Sequence, residues 1–150
     1  MKAIADFYNE MAAKHGASYQ SADAQSEESL LARYKVLSEV GDLSGLDILE
    51  VGCGTGGLGV YLKNKYPSIR YTGIDIAGKA VEIGKREHPG LNLFEADLLN
   101  YDFAGVKRYD VVLGQGIFYK LPDASLVRPM IAKMMGLTRW ALAFTAIDTW

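Results

Sequence analysis

The residues with the clearest chemical potential lie between positions 49 and 57, where the sequence reads LEVGCGTGG. An apolar, strand-like run ends at Gly52, and a helical pattern begins near Gly56. Glycine suits such a connection because the chain turns through positive φ and because a ligand can then touch the backbone with no Cβ in between. Four glycines in six residues also carry a large entropic cost on folding. The segment therefore predicts a ligand-binding turn.

Two classes of ligand fit the spacing of these glycines. Gly52, Gly54 and Gly57 match the G-x-G-x-x-G pattern of dinucleotide-binding proteins. Gly52, Gly54 and Gly56 equally match the G-x-G-x-G turn of S-adenosylmethionine enzymes. Asp75 ends the next apolar run and suits both ligands, because each offers ribose hydroxyls to a carboxylate. The glycines and Asp75 thus leave both classes open.

Two further acidic residues distinguish between these ligands. Glu50 lies within the first apolar run, where its carboxylate would repel a pyrophosphate but favour an ammonium or sulfonium group. Asp97 closes the third apolar run, where a carboxylate can accept a hydrogen bond from an adenine amino group. A ligand that is cationic at one end and an adenosine at the other is S-adenosylmethionine rather than NAD. We therefore expect S-adenosylmethionine as the cofactor.

Length, charge and cysteine content restrict the remaining function classes. The chain of 150 residues has the length of one domain, and we treat residues 1–150 as one. A formal net charge of −2 argues against a nucleic-acid-binding surface, and the single cysteine, Cys53, argues against a disulfide or a metal site. The acidic Asp6 interrupts the amino terminus, and no apolar run has the roughly 18 residues of a membrane helix. We expect a cytoplasmic protein without a nucleic-acid or membrane partner.

The elements that must position these residues fall into two parts. Residues 1–41 predict a cap of two helices, the second beginning at the N-cap Ser26 and ending at Gly41. Residues 47–150 alternate apolar runs with helical segments, which predicts an α/β fold with a Rossmann-like, doubly wound parallel sheet. The predicted strands are residues 48–51, 71–74, 91–94, 109–113 and 140–147. The predicted helices between them are residues 57–66, 79–87 and 122–135, the last with Pro122 in its first turn and Gly136 as its stop.

Four segments, in order and in spacing, resemble the class I S-adenosylmethionine-dependent methyltransferases. Residues 49–57 resemble the first motif of that family, and residues 73–76 resemble its following acidic motif. Residues 96–98 resemble the adenine-contacting motif, and residues 109–117 resemble the fourth strand with its loop. The resemblance implies a parallel sheet with the strand order 3-2-1-4-5. It also implies methyl transfer to a small molecule, as in the ubiquinone-biosynthesis type of these enzymes.

The same resemblance implies roles for individual residues at the carboxyl ends of the first three strands. Gly52, Gly54 and Gly56 would pass close to the methionine part of the cofactor, and Glu50 would order its amino end. Asp75 would bind the ribose. Asp97 would read the adenine together with the amide of Leu98. The matched segments also bring Cys53, Ile76 and Gln115 into the predicted cofactor-binding set.

Methyl transfer from a sulfonium is an in-line displacement, so the protein must chiefly align a nucleophile and exclude water. Many members of the family carry a histidine in the loop after the fourth strand, but here residues 117–122 read IFYKLP. We therefore predict that Tyr119, Gln115 and His15 act on the acceptor, as catalytic or positioning groups. No Asn-Pro-Pro-Tyr-like segment follows the fourth strand, which argues against methylation of an adenine or glutamine amino group. We expect a small-molecule acceptor between the cap and residues 114–119.

Two other functions stay open at this stage. One is an NAD(P)-binding oxidoreductase domain. The other is a cofactor-binding module that is inactive without a partner chain or a missing C-terminal part, because the family's sheet usually contains two more strands than this sequence provides. We expect those two strands to be lacking and residues 140–147 to form an exposed apolar edge, which can pair two copies as a homodimer.

Overall fold

The chain forms alternating helices and strands in a computed structural model that describes residues 1–146. The helices are α1 (Lys2–His15), α2 (Glu27–Leu37), α3 (Gly57–Lys65), α4 (Gly78–Glu87) and α5 (Val127–Leu137). The strands are β1 (Asp47–Val51), β2 (Arg70–Asp75), β3 (Asn92–Glu95), β4 (Tyr109–Gly114) and β5 (Thr138–Phe144). Short 3₁₀ turns occur at Tyr19–Ala22 and Ala124–Leu126.

The five strands form one parallel sheet in the order β3-β2-β1-β4-β5. The strand β1 lies at its centre, with Glu50 opposite Gly73 on β2 and Leu113 on β4. Because all strands run in the same direction, the loops that follow β1, β2, β3 and β4 meet at one edge of the sheet. The predicted Rossmann-like fold and its strand order are confirmed.

Apolar side chains cover both faces of the sheet because successive residues of a strand point to opposite sides. On β1, Ile48 joins a buried cluster with Leu58 and Leu62 of α3. Its neighbour Leu49 joins a second cluster with Met134 of α5. This double burial explains why the strands appear in the sequence as short, continuous apolar runs.

The first 41 residues pack directly on the sheet and its helices. Ala12 of α1 is buried against Ala77 and Ala80, at the beginning of α4. Leu30 and Leu37 of α2 belong to the same buried cluster as α3. The cap therefore shares the core of the domain, and its inner side faces the carboxyl edge of the sheet.

Helix α2 begins as predicted but ends one turn early. Ser26 caps its first turn by accepting a hydrogen bond from the amide of Ser29. The helix ends at Leu37, before the predicted end at Gly41, and Ser38 is its C-cap residue. The Ser38 side chain is buried, and its hydroxyl donates to the carbonyl of Lys35 at 2.7 Å.

Helix α5 differs from its predicted bounds of 122–135 at both ends. Asp123 accepts a hydrogen bond from the amide of Ser125 at 2.7 Å, which favours a 3₁₀ turn, and the α-helix begins only at Val127. At the other end, α5 passes through Gly136 and continues to Leu137. The hydroxyl of Thr138 then donates to a carbonyl of the last turn at 2.7 Å, and the chain enters β5 directly.

The strand β5 therefore begins two residues before the predicted start at Trp140 and ends at Phe144. The predicted end, Ile147, lies outside the described residues. Along the described sheet, β5 pairs with β4 on one side only, and its side chains include Trp140 at 57% and Phe144 at 37% exposure. This is the apolar edge that the sequence predicts. None of the described helices combines the length and the hydropathy that a bilayer-spanning segment requires.

Candidate functional site

A cavity of about 320 Å³ opens at the carboxyl edge of the sheet. Its walls come from α1, the turn Tyr19–Ala22 and α2 on one side and from the loops after β1 to β4 on the other. Most of the predicted site residues line it, namely Glu50, Gly52, Cys53, Gly54, Asp75, Ile76, Asp97, Leu98, Gln115 and Tyr119. Segments that are far apart in the sequence thus meet at one place.

Two predicted site residues do not line this cavity. Gly56 has a φ of 87° as the N-cap residue of α3, and a Cβ on it would lie 2.9 Å from Cδ1 of Leu91. The turn and this close packing require a glycine there, without any ligand. His15 lies in the last turn of α1, next to Gly16, which ends the helix. The contacts of Gly56 and His15 at a cofactor or an acceptor stay predictions, because neither residue lines this cavity.

The turn after β1 presents its backbone to the cavity at Gly54. Gly52 and Gly54 have φ values of 73° and 52°, and the amide of Gly52 donates to the carbonyl of Ile74 at 2.8 Å. A Cβ on Gly52 would collide with Cγ2 of Ile117, whereas a Cβ on Gly54 would meet no atom within 4 Å. Gly54 thus leaves open the space that a side chain would fill, and a ligand can approach its backbone there.

Asp75 connects the glycine turn to the turn after β2. Its two carboxylate oxygens accept hydrogen bonds from the amides of Gly54 and Ala77, each at 2.7 Å. Burial raises the pKa of Asp75 above its usual range, and the hydrogen bonds from these amides act in the opposite direction. The carboxylate therefore holds two loops of the cavity wall together and still has lone pairs for a ligand.

Glu50 is the most deeply buried acidic residue of the site, with 2% of its surface exposed. The hydroxyl of Tyr71 donates a hydrogen bond to its Oε2. Burial raises the pKa of Glu50 to about 8; the hydrogen bond from Tyr71 opposes this shift, and the charge of Asp75 adds to it. A cation that enters the cavity would restore the ionised carboxylate, because an opposite charge lowers the pKa of an acid.

Cys53 lies between the two positive-φ glycines and is buried. Burial raises the pKa of its thiol well above the usual range, and the charges of Asp75 and Glu50 raise it further. A thiol in these surroundings stays protonated at neutral pH, so Cys53 acts here as a small apolar wall residue rather than as a nucleophile.

Asp97 is placed on the cavity by the turn that follows β3. One of its oxygens accepts from the amide of Leu99 at 3.0 Å, and the other accepts from the side-chain amide of Asn100 at 2.7 Å. Leu98, the residue between Asp97 and Leu99, packs its side chain into the core beside α5. The carboxylate thus shapes its own loop as well as lining the cavity.

The loop after β4 carries Gln115 and Tyr119 and is tied to the residues that follow β5. The hydroxyl of Thr145 accepts hydrogen bonds from the amide of Gly116 at 3.0 Å and from the hydroxyl of Tyr119 at 3.2 Å. Tyr119 consequently offers the cavity mainly its ring, since its hydroxyl already has a partner. This arrangement suits the positioning of an acceptor better than proton transfer.

Contacts between charged and aromatic side chains join the cap to this loop. Lys120 forms an ion pair with Asp23 at 2.9 Å, and its ammonium lies 4.4 Å from the centre of the Phe7 ring. The guanidinium of Arg33 lies 5.8 Å from the centre of the Tyr119 ring. The cap and the loop thus close the outer side of the cavity together.

Tyr34 and His88 are among the residues that line this cavity without belonging to the predicted site. Tyr34 follows the apolar periodicity of α2 and therefore reads as a core residue, and His88 reads as a loop residue. The one signal in the sequence for Tyr34 was its type, because tyrosine combines an apolar ring with a hydroxyl that needs a partner when buried. Within residues 1–146, no three His, Cys, Asp or Glu side chains are grouped so that they could hold a metal ion.

Comparison with known families agrees with this geometry. A family described as methyltransferase domain matches residues 48–139, which is more than half of the chain. The chain belongs to this methyltransferase domain family. The match confirms the resemblance to class I S-adenosylmethionine-dependent methyltransferases and favours it over the nicotinamide alternative.

Curated relatives of this methyltransferase domain are considerably longer. It is 28% identical to the fatty-acid O-methyltransferase of Mycolicibacterium smegmatis over 73% of this chain and 42% of that protein. It is 38% identical to the phthiotriol/phenolphthiotriol dimycocerosates methyltransferase of Mycobacterium tuberculosis over 48% of this chain and 27% of that protein. The chain therefore spans less than half the length of these relatives.

Solved structures share the fold of this methyltransferase domain. The magnesium protoporphyrin IX methyltransferase of Synechocystis PCC 6803, solved with bound SAM, has a TM-score of 0.61 and 21% identity and covers 74% of this chain and 53% of its own. The N-methyltransferase NodS of Bradyrhizobium japonicum, in complex with S-adenosyl-L-homocysteine, also has a TM-score of 0.61, with 22% identity, and covers 75% of this chain and 57% of its own.

Proposed function

We propose that this methyltransferase domain binds S-adenosylmethionine in the cavity at the carboxyl edge of the sheet and transfers its methyl group to a small molecule. The observation that carries the proposal is the buried carboxyl group of Glu50 behind a turn whose Gly54 leaves open the space of a side chain. A buried acid favours the cationic end of S-adenosylmethionine and disfavours a diphosphate. Family membership supports the same cofactor.

The residues on the cavity wall fit the parts of this cofactor. The backbone at Gly52 and Gly54 would pass along its methionine part, and Glu50 would hold its ammonium group. Asp75 would accept hydrogen bonds from the ribose. Asp97, with the amide of Leu98, would bind the adenine. Cys53, Ile76 and Gln115 would complete the wall. When bound, the cofactor supplies a methyl group on a sulfonium, which leaves readily as a thioether.

The acceptor would lie between the cap and the loop after β4. Ile4, Leu30 and Leu121 contribute apolar surface there, and the Tyr119 ring and Gln115 contribute polarity and shape. These residues would orient the acceptor in line with the methyl group and keep water out, which is the main requirement of a displacement reaction. The mainly apolar wall favours an apolar small molecule with one nucleophilic group, in keeping with the name of one relative, a fatty-acid O-methyltransferase.

Calorimetric titration of the full chain with S-adenosylhomocysteine and with NAD tests the proposed cofactor. We expect saturable binding of S-adenosylhomocysteine and no response to NAD. Saturable NAD binding without a response to S-adenosylhomocysteine would overturn the proposal. A screen of metabolite extracts with a radiolabelled methyl donor would then identify the acceptor.

A second candidate function is a cofactor-binding module whose acceptor site is completed by another chain or by a further part of a longer protein. The exposed edge of β5 favours it, because this strand pairs with β4 on one side only and because Trp140 and Phe144 are each partly exposed. If the other chain is a second copy of this protein, the two copies would pair through this edge, and that pairing can be tested directly. Sedimentation velocity at increasing concentration should then reveal a homodimer that Trp140→Lys disrupts. The cytoplasmic location and the absence of a nucleic-acid partner stay predictions.

The protonation of Glu50 makes cofactor binding and stability depend on pH. Its folded-state pKa of about 8 exceeds the usual 4.5, so between these values the folded chain holds a proton that the unfolded chain has lost. The free energy of unfolding should therefore fall as the pH rises from 4.5 to 8, and Glu50→Gln should remove the part of this dependence that Glu50 contributes, leaving the part due to the raised pKa of Asp75. Binding of the cofactor's ammonium should expel the proton, so the affinity should rise over the same pH range.

Calorimetry at pH 7 in two buffers of different ionisation enthalpy measures the released proton directly. Because most of Glu50 is protonated at pH 7, we expect cofactor binding to release nearly one proton from the original chain. The Glu50→Gln variant should release almost none. Equal proton release in both proteins would show that Glu50 does not pair with the cofactor's ammonium.

A further inference from the structure

Tyr34 of α2 lies at a position that connects the core to the cavity. Its ring packs in the buried cluster that contains Leu37 and Leu58, 5.9 Å from the ring centre of Tyr61. Only 8% of its surface is exposed, and it lines the cavity. The ring therefore has the rigid setting of a core residue, while the hydroxyl reaches the space where a ligand would bind.

The hydroxyl of Tyr34 has no hydrogen-bond partner among the described residues. The influences on its pKa are burial, the charge of Glu50 and the charge of Arg33, with no hydrogen bond among them. Burial and Glu50 raise this pKa above its ordinary value, so the phenol stays protonated and remains a donor. Among the described residues, no fully buried side-chain nitrogen or oxygen lacks a hydrogen-bond partner, so this hydroxyl is accessible from the cavity, where a bound ligand with an acceptor can take its hydrogen bond.

The Tyr34 hydroxyl lies against the first residue of α3. It would be 2.6 Å from a Cβ placed on Gly57, where this nine-residue helix begins. No side chain caps α3, and no acidic residue lies in its first turn. The free amides of a first helical turn carry a partial positive charge and favour an anion. Tyr34 and Gly57 both line the cavity, so one ligand there can accept hydrogen bonds from the phenol and from the beginning of α3.

The surrounding charges restrict the anion that fits between these donors. Glu50 lies close enough to raise the pKa of Tyr34, and Asp75 is close enough to raise that of Glu50. A phosphate with two negative charges would be repelled by both acids. An α-amino acid group would fit instead. Its carboxylate would accept hydrogen bonds from the donors, and its ammonium would pair with Glu50.

We propose that the hydroxyl of Tyr34, together with the first turn of α3, binds the carboxylate of an α-amino acid group, which is the methionine end of the cofactor. This inference rests on the proposed function and adds to it a binding residue from the cap. The cap would then contribute to the cofactor site as well as to the acceptor site. Tyr34 would select ligands that carry the complete amino acid group.

Replacement of Tyr34 by Phe tests this role because it removes only the hydroxyl. Two ligands separate a carboxylate contact from a general effect: S-adenosylhomocysteine carries the amino acid group, and 5′-methylthioadenosine lacks it. For Tyr34→Phe, we expect the Kd of S-adenosylhomocysteine to rise about tenfold or more, as a hydrogen bond to a charged group predicts. The Kd of 5′-methylthioadenosine should change less than about twofold, because that ligand never meets the hydroxyl.

The matched control is Tyr61→Phe, which alters the ring neighbour of Tyr34 but no residue of the cavity wall. It should leave both dissociation constants unchanged, and thermal unfolding should confirm that both variants fold. Equal weakening of the two ligands by Tyr34→Phe, or no weakening of either, would overturn the inference while leaving the proposed cofactor intact. If the original chain failed to bind S-adenosylhomocysteine, the proposed function itself would fall, and this inference with it.

Discussion

Gly54→Ala is expected to remove most of the affinity for S-adenosylhomocysteine while the chain still folds. A Cβ at this position meets no protein atom within 4 Å, so the folded state should lose only the cost of a left-handed alanine, about 1–2 kcal/mol. The new methyl group would project into the space that the ligand must occupy. A steric penalty of about 1.5–3 kcal/mol corresponds to a loss of affinity of roughly 10- to 150-fold.

Gly52→Ala is the matched comparison because it adds the same methyl group two residues earlier. Its φ of 73° carries the same backbone cost, but here the Cβ would collide with Ile117 of the loop after β4. We expect the free energy of unfolding to fall by about 2–5 kcal/mol, from backbone strain and overpacking together. Urea unfolding and calorimetric titration of both variants measure the two effects.

The pair distinguishes a ligand-binding turn from a merely structural one. If Gly54 were needed only for the backbone conformation of the turn, the Gly54→Ala variant would bind S-adenosylhomocysteine as tightly as the original chain, once its small loss of stability is taken into account. That result would contradict the placement of the cofactor against the backbone of Gly54.

Asp75→Ala is expected to affect both stability and binding strongly. The substitution leaves the amides of Gly54 and Ala77 without their acceptor, and each hydrogen bond to a charged group contributes about 1.5–3 kcal/mol. Relief of the buried carboxylate offsets part of this loss, so we expect a net decrease of about 2–4 kcal/mol in the free energy of unfolding. Loss of the ribose contact should also raise the Kd of S-adenosylhomocysteine at least about tenfold.

Two further variants make this prediction specific to the site. Asp75→Asn keeps one acceptor oxygen and should lie between the original chain and Asp75→Ala in stability. Asp102→Ala removes a similar carboxylate-to-amide hydrogen bond, 2.8 Å long, from an exposed loop away from the cavity, and it should change neither property measurably. An equal effect of Asp75→Ala and Asp102→Ala on binding would show that Asp75 has no contact with the ligand.

Much of the fold could be predicted because strong local patterns agree with the tertiary structure. The apolar runs that became the central strands β1 and β4 are buried on both faces, so their hydropathy identifies them without knowledge of their neighbours. The element ends were less certain. The helix α2 ended at Leu37, before Gly41, and a 3₁₀ turn capped by Asp123 separates Pro122 from α5.

Most of the residues that the sequence predicts for the site lie together on the cavity, whereas Gly56 and His15 do not line it. Glu50, Gly54 and Asp75 meet at the cavity because residues that follow neighbouring parallel strands must share one edge of the sheet. Gly56 belongs to the same glycine-rich segment but faces Leu91 and the strand β3. The spacing of the glycines alone could not show which side of the chain Gly56 faces, because the backbone changes direction between Gly54 and Gly56.

The amino-acid sequence by itself determined the class of this fold, the order of its strands and the set of acidic and glycine residues at one edge. The fold class and the residue set follow from periodicity and residue type, which are local, and the strand order follows from the resemblance of the motifs to a known family. Only the tertiary structure decided that the hydroxyl of Tyr34 enters the cavity, that the hydroxyl of Tyr119 is held by Thr145 and that Glu50 is buried deeply enough to retain a proton. Hydrogen-bond partners and burial depend on what other segments place around a side chain, and that information exists only once the chain has folded.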